Sequence, residues 1–166
     1  MNKKAFTLIE LLVVVLIIGV LAAVGVIGYN SYMTSSKEKV CNENHEEIVN
    51  GIKLIYAQCK LGGIVKLRRG YSNFQQGSEY EFNCSNSLFD LVGSSVTHTA
   101  NFLTNIYSPN NHWGYEFGGN TSTPNREGQT YWHVYDFATG NSSPENTFRV
   151  RTRCNGKIIE DIVKIN

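Results

Sequence analysis

Leu11-Leu12-Val13-Val14-Val15-Leu16-Ile17-Ile18-Gly19-Val20-Leu21-Ala22-Ala23-Val24-Gly25-Val26-Ile27-Gly28 runs without one charged or strongly polar side chain. At 1.5 Å per helical residue the run reaches about 27 Å, close to the hydrocarbon thickness of a bilayer. Glu10 stands at its leading edge, and the next charge is Lys37. The start of the chain, Met1-Asn2-Lys3-Lys4-Ala5, is a short basic tail that belongs on the cytoplasmic side, which sends the rest of the chain outward. A secretory signal peptide would have a shorter apolar core followed by a small-x-small cleavage site. Here Ala22 and Ala23 lie inside the run, with Val24 to Tyr29 still to come. A plain single-pass anchor accounts for the length but not for Glu10. An acid costs about 2.5–3.5 kcal/mol at the centre of a membrane helix, less near its edge, and such residues usually have a functional partner.

Lys-Lys-Ala-Phe-Thr-Leu-Ile-Glu-Leu-Leu, residues 3–12, resembles the class III leader junction of type IV pilins and pseudopilins. The resemblance covers residues 1–32 and little beyond them. It implies cleavage between Ala5 and Phe6 by a membrane-embedded prepilin peptidase, followed by N-methylation of Phe6. The family's acid, five positions into the mature chain, matches Glu10. Two departures stand out: Ala5 occupies a position that usually holds glycine, and the proline many pilins carry near Ile27 is missing. Gly19, Gly25 and Gly28 supply local softening of the helix instead, at up to about 1 kcal/mol each.

The resemblance also gives Glu10 a chemistry. Cleavage leaves an ammonium on Phe6, and in an apolar setting both charges need a partner. A Glu10 carboxylate that reaches the Phe6 amine of a neighbouring subunit neutralises both and sets the axial register. A pair within one helix end is the alternative. The expected division is a leader at 1–5, a membrane and filament-core helix at 6–29 and an exported globular domain at 30–166.

The chain has 166 residues with 15 basic and 14 acidic side chains and 42% apolar content, enough for one ordinary exported domain with its own core. This near-neutral balance makes no general case for nucleic acid or acidic substrates. Four cysteines on the exported side favour two disulfides.

Beyond Tyr29 the helix continues. Cys41, His45, Ile48, Ile52, Ile55 and Cys59 form one stripe at helical spacing, read as the core side of an amphipathic helix that stops at Gly62-Gly63. His45 reads as a satisfied polar residue at the core edge. His45-Glu46-Glu47-Ile48-Val49 begins like a zincin helix but has Val49 where the second histidine belongs. Cys41 and Cys59 lie about 27 Å apart along a continuous helix, whereas a disulfide needs Cα atoms within about 7 Å. Two connectivities remain: Cys59–Cys84 with Cys41–Cys154, the preferred pairing, or Cys41–Cys84 with Cys59–Cys154. The lack of a C-x-x-C pair and the oxidising setting argue against zinc.

Farther on, Ile64–Leu67 and Tyr80–Phe82 read as short extended pieces. Lys66, Arg68 and Arg69, near Tyr71 and Phe74, form a basic cluster that is either a solvated loop or an anion or DNA contact. Ser87 caps a second helix with apolar positions at Leu88, Leu91, Val92, Val96, Phe102 and Leu103, which Ser108-Pro109-Asn110-Asn111 brings to an end. Residues 112–129 are rich in turns. Thr130 to Phe137 alternates as a strand, with Tyr131, His133, Tyr135 and Phe137 on one face. Asp136, Asn141 and Glu145 are calcium candidates in the following loop, at a spacing that is not that of an EF-hand.

Asn155-Gly156 between Thr147–Cys154 and Lys157–Ile165 is the strongest hairpin signal in the chain. A two-residue turn pairs Cys154 with Lys157, Val150 with Asp161 and Arg151 with Glu160. It puts Phe148, Val150 and Cys154 beside Ile159 and Val163 on one face. Arg149, Arg151 and Arg153 share the other face, read as a solvated face, a contact between subunits or a surface for DNA.

These readings give an α+β fold: a long N-terminal helix whose outer half packs on an antiparallel sheet of three to five strands, with two disulfides. This agrees with the pilin fold that the resemblance implies. No P-loop, dinucleotide fingerprint, nucleophile elbow or repeat is present, so the expectation is a protein that is not an enzyme and needs no cofactor. The leading expectation is a structural subunit of a type IV pilus filament. Its partners are copies of itself, the prepilin peptidase, an assembly ATPase and an inner-membrane platform, with DNA or a surface ligand as a further partner. The precursor would span the inner membrane once, with its N-terminus in the cytoplasm, and the assembled subunit would lie in an extracellular pilus. The alternatives are a minor pilin or pseudopilin of a type II secretion or DNA-uptake system, and a membrane-anchored binding domain that never polymerises.

Overall fold

A computed structural model describes residues 6–70, 77–108, 114–117, 123–134 and 147–164. The chain divides into two units, Met1–Ser36 and Lys37–Asn166. Helix α1, Leu8–Gly62, contributes to both.

In the first unit every described side chain from Phe6 to Ser35 is exposed. The helix there is long and apolar enough to cross a membrane. Unbranched backbone hydrogen bonding within one helix is what allows such a segment to sit in hydrocarbon, and a continuous apolar surface is what favours it there.

In the second unit the same helix is amphipathic. Cys41, His45, Ile48, Val49, Ile52 and Ile55 are buried, while the intervening charges face solvent. The helix stops at Gly63, whose φ of 71° is left-handed and whose N–H donates to Cys59 O at 3.2 Å. Strands β1, Ile64–Arg68, and β2, Glu79–Asn83, form an antiparallel pair. Helix α2, Leu88–Ala100, follows. Ser87 caps it, accepting from the Asp90 N–H at 3.2 Å.

The second sheet has four strands in the order β3-β4-β5-β6: Gly114–Phe117, Gln129–Val134, Thr147–Cys154 and Lys157–Lys164. The last three are antiparallel. The turn between β5 and β6 uses Asn155 and Gly156 at φ 50° and 76°, the paired positive angles of a type I′ hairpin. Its register is Cys154 to Lys157, Val150 to Asp161 and Arg151 to Glu160. Strand β3 departs from an all-antiparallel sheet by lying parallel to β4. About a dozen residues separate the two, the length a parallel connection requires and far more than a hairpin turn.

Two apolar clusters result. Ile48, Val49 and Ile52 of α1 meet Val92 and Val96 of α2 and Trp132, Phe148, Val150 and Val163 of the sheet. Ile55 meets Val65, Leu67, Phe82 and Leu91 in the second. At an ordinary 1.5–3 kcal/mol for each fully buried large apolar side chain, roughly, these clusters supply the main driving force for folding.

The second helix is shorter than its apolar pattern predicts. It ends at Ala100 rather than near Ser108, and Phe102 is exposed. Asn101 is the reason: its Nδ2 donates to Thr97 O and to Arg69 O, both at 2.8 Å, so its side chain occupies a last-turn carbonyl and ties the helix end to the chain after β1. Gly93, which weakens this helix in isolation, has a packing role. A Cβ there would lie 2.7 Å from Trp132 Cζ2, so glycine makes room for the indole.

Candidate functional site

The first candidate site is the start of α1. Thr7 and Glu10 form a reciprocal cap: Glu10 Oε2 accepts from the Thr7 N–H and from Thr7 Oγ1, both at 2.8 Å, and the Glu10 N–H donates to Thr7 Oγ1 at 3.3 Å. This capping box satisfies backbone donors that the first helical turn leaves open. Among the described residues Glu10 Oε1 has no hydrogen-bond partner. Phe6, directly ahead of the cap, is exposed, and Ala5 lies outside the described residues. Attention to Glu10 as a membrane acid misses Thr7, although Thr-x-x-Glu before an apolar run is a sequence-level sign of this box.

Downstream of the cap, Leu8, Ile9, Leu11, Leu12, Val15 and Leu16 are each 59% exposed or more. An apolar surface of this extent calls for lipid or protein around it. Residues 1–26 match the family model of the prokaryotic N-terminal methylation motif. The chain begins with the class III leader of type IV pilins. No curated protein and no solved structure matches the chain. The pilin-type leader and helix point to a structural protein.

The second candidate region is where the C-terminal hairpin meets the second half of α1. Cys41 is bonded to Cys154, with Cα atoms 5.8 Å apart, and Cys59 to Cys84 at 5.3 Å. The first bond joins α1 to the end of β5, and the second joins the last turn of α1 to the loop after β2. The hairpin turn is also held by carboxylates: Glu38 accepts from Lys157 Nζ and Asn155 Nδ2, each at 3.0 Å. The Lys157 hydrogen bond, then that of Asn155, lowers the Glu38 carboxyl from its ordinary value. Glu127 Oε1 accepts from the Gly156 N–H at 2.9 Å.

His45 lies in this region, 1% exposed. Its Nδ1 is 2.7 Å from Thr152 Oγ1 and its Nε2 is 3.1 Å from Asp161 Oδ2. Burial lowers its pKa from the ordinary value, against an opposing pull from Asp161. His45 is therefore a core residue with partners on both ring nitrogens. Among the described residues no group of three or more His, Cys, Asp or Glu side chains can hold a metal ion. The calcium candidates Asp136, Asn141 and Glu145 lie outside the described residues.

Acids lie beside most of the side chains in the two basic features. Arg149 and Arg151 both reach Glu160, and Arg153 Nε donates to Glu127 Oε1 at 3.2 Å. Lys66 stands opposite Glu81 in the β1–β2 register. Arg68 bonds Glu79 at 2.8 Å, and Arg69 stacks on the Tyr80 ring at 5.1 Å. Tyr71 and Phe74 lie outside the described residues. Phosphate binding rests on protein cations that displace counterions from the polyanion, and acids face most of the basic side chains in both features.

Proposed function

We propose that this protein is the structural subunit of a type IV pilus-like filament. Prepilin peptidase cuts it between Ala5 and Phe6, Phe6 is N-methylated, and the subunit polymerises through residues 6–29 while residues 30–166 form the exported domain. The observation that carries this reading is the exposed apolar first half of α1, directly behind the class III leader. Such a surface gains little by moving from lipid to a bundle of like helices, because hydrocarbon tails are as apolar as leucine. Directional assembly then needs work from an ATPase acting through an inner-membrane platform. Before assembly the chain sits once through the inner membrane, and afterwards it lies in the extracellular fibre.

In this reading Glu10 has two duties. Oε2 closes its own helix through Thr7, while Oε1 remains available to the Phe6 ammonium of the next subunit. A carboxylate with two oxygens can accept both sets of hydrogen bonds at once. Mass spectrometry of the native protein tests the reading. The expected result is an N-methylated phenylalanine on a chain five residues shorter, and a mature N-terminus at methionine refutes it. Electron microscopy of sheared cell-surface fibres then separates an abundant subunit, present along the whole fibre, from a minor pilin or pseudopilin confined to short or rare assemblies.

A further inference from the structure

Around His45 the hydrogen bonds have only one consistent direction. An ionised Asp161 carboxylate can only accept, so Nε2 carries the proton. In neutral imidazole Nδ1 is then an acceptor, and the Thr152 hydroxyl must donate to it across 2.7 Å. Having spent its proton there, Thr152 Oγ1 accepts from Thr130 Oγ1 at 2.8 Å. Thr130 and Thr152 are both 0% exposed, so these bonds lie away from bulk solvent. The chain of donors runs from β4 through β5 and α1 to Asp161 on β6.

We propose that His45 is a proton-operated catch between α1 and the C-terminal hairpin. A second proton would sit on Nδ1 and face the Thr152 O–H, donor against donor. Relief requires Thr152 to turn, accept from Nδ1 and donate its hydroxyl hydrogen bond to Thr130 instead. The two hydroxyl bonds then reverse inside a packed core, while Nε2 still donates to Asp161. The charged groups acting on the ring are Asp161 of β6, half exposed and in contact with it, and the neighbouring Glu46 of α1, through its charge alone. Strands β4 and β5 offer the hydroxyls of Thr130 and Thr152, and α2 contributes Val92 and Val96 to the surrounding core. Arg149, Arg151 and Arg153 alternate onto the opposite face of β5. Two carboxylates favour the imidazolium and burial opposes it, with burial the larger effect.

The folded state thus holds a proton on His45 less well than the unfolded chain does. Its contribution is complete above the ordinary pKa of 6.5 and is lost as pH falls below that value. The Cys41–Cys154 bond keeps the hairpin tethered throughout, so acid loosens packing without releasing the strands from the helix.

The test uses the full chain in detergent micelles with both disulfides intact. Urea unfolding is followed at several pH values for the wild type and for His45→Gln, which keeps a neutral donor and acceptor. The expected wild-type result is a folded-to-unfolded ratio that falls by up to about tenfold for each pH unit below 6.5. His45→Gln should lack that fall. Equal pH profiles for the two proteins overturn the proposal. If His45→Gln does not fold, nitrogen-15 NMR of the wild-type imidazole decides. A proton on Nε2 with titration below 6.5 supports the catch, and a proton on Nδ1 or titration at or above 6.5 overturns it.

Discussion

The two halves of α1 are one continuous helix with opposite surroundings. From Leu8 to Ser35 every side chain is exposed, whereas from Cys41 to Ile55 one face is buried to 4% exposure or less. The local backbone is the same. What differs is the pattern: an apolar surface all round in the first half, and a stripe at helical spacing in the second. An all-round apolar helix must find its partners outside its own domain, while a striped helix can satisfy itself within it. Substitutions in the first half should therefore change assembly and leave the domain intact, and those in the second should do the reverse.

The largest effect should come from Glu10→Ala. In the proposed reading this removes the partner of the Phe6 amine, so surface fibres should disappear from micrographs, while leader cleavage and the unfolding curve of the second unit stay as in the wild type. Abundant normal fibres from this variant would break the comparison at its first half. On the other side, replacing Cys41 and Cys154 together by serine should destabilise the second unit by about 2–5 kcal/mol, read from urea unfolding.

A matched pair sharpens the contrast. Ile52→Ala opens a cavity in the main core and should cost about 2–5 kcal/mol, while Ile17→Ala should leave the domain's stability within about 0.5 kcal/mol. Equal losses in the two would mean that the first half is also part of the folded core. The smallest effect belongs to Lys39→Ala. Its pair with Glu43 is 3.9 Å long and largely exposed on both sides, so the change should stay below about 0.5 kcal/mol.

Much of this architecture is legible in the residues because it is written locally. The spacing of Cys41, His45, Ile48, Ile52 and Ile55 marks the buried face of α1, and Asn155-Gly156 sets the register of β5 on β6. What local pattern does not carry is long-range. Ala100 is the end of α2 because Asn101 finds Arg69 O, a partner that no helical periodicity announces. The parallel placement of β3 depends on a long connection rather than a turn signal. His45 reads correctly as a satisfied polar residue, yet Thr152 and Asp161 lie more than a hundred positions away along the chain. At the first candidate site the leader and Glu10 stand out in the sequence, and Thr7 is legible there too in the Thr-x-x-Glu ahead of the apolar run, although a reading of Glu10 as a membrane acid passes over it.

The bond between Cys41 and Cys154 has a consequence for how the protein withstands cutting. It spans 113 positions, and the Cys59–Cys84 bond lies wholly inside that span. A protease that severs any one peptide link from residue 42 to residue 153 therefore leaves both fragments joined as one covalent molecule. The apolar handle stays attached to the rest, and damage of this kind shows on a gel only after reduction.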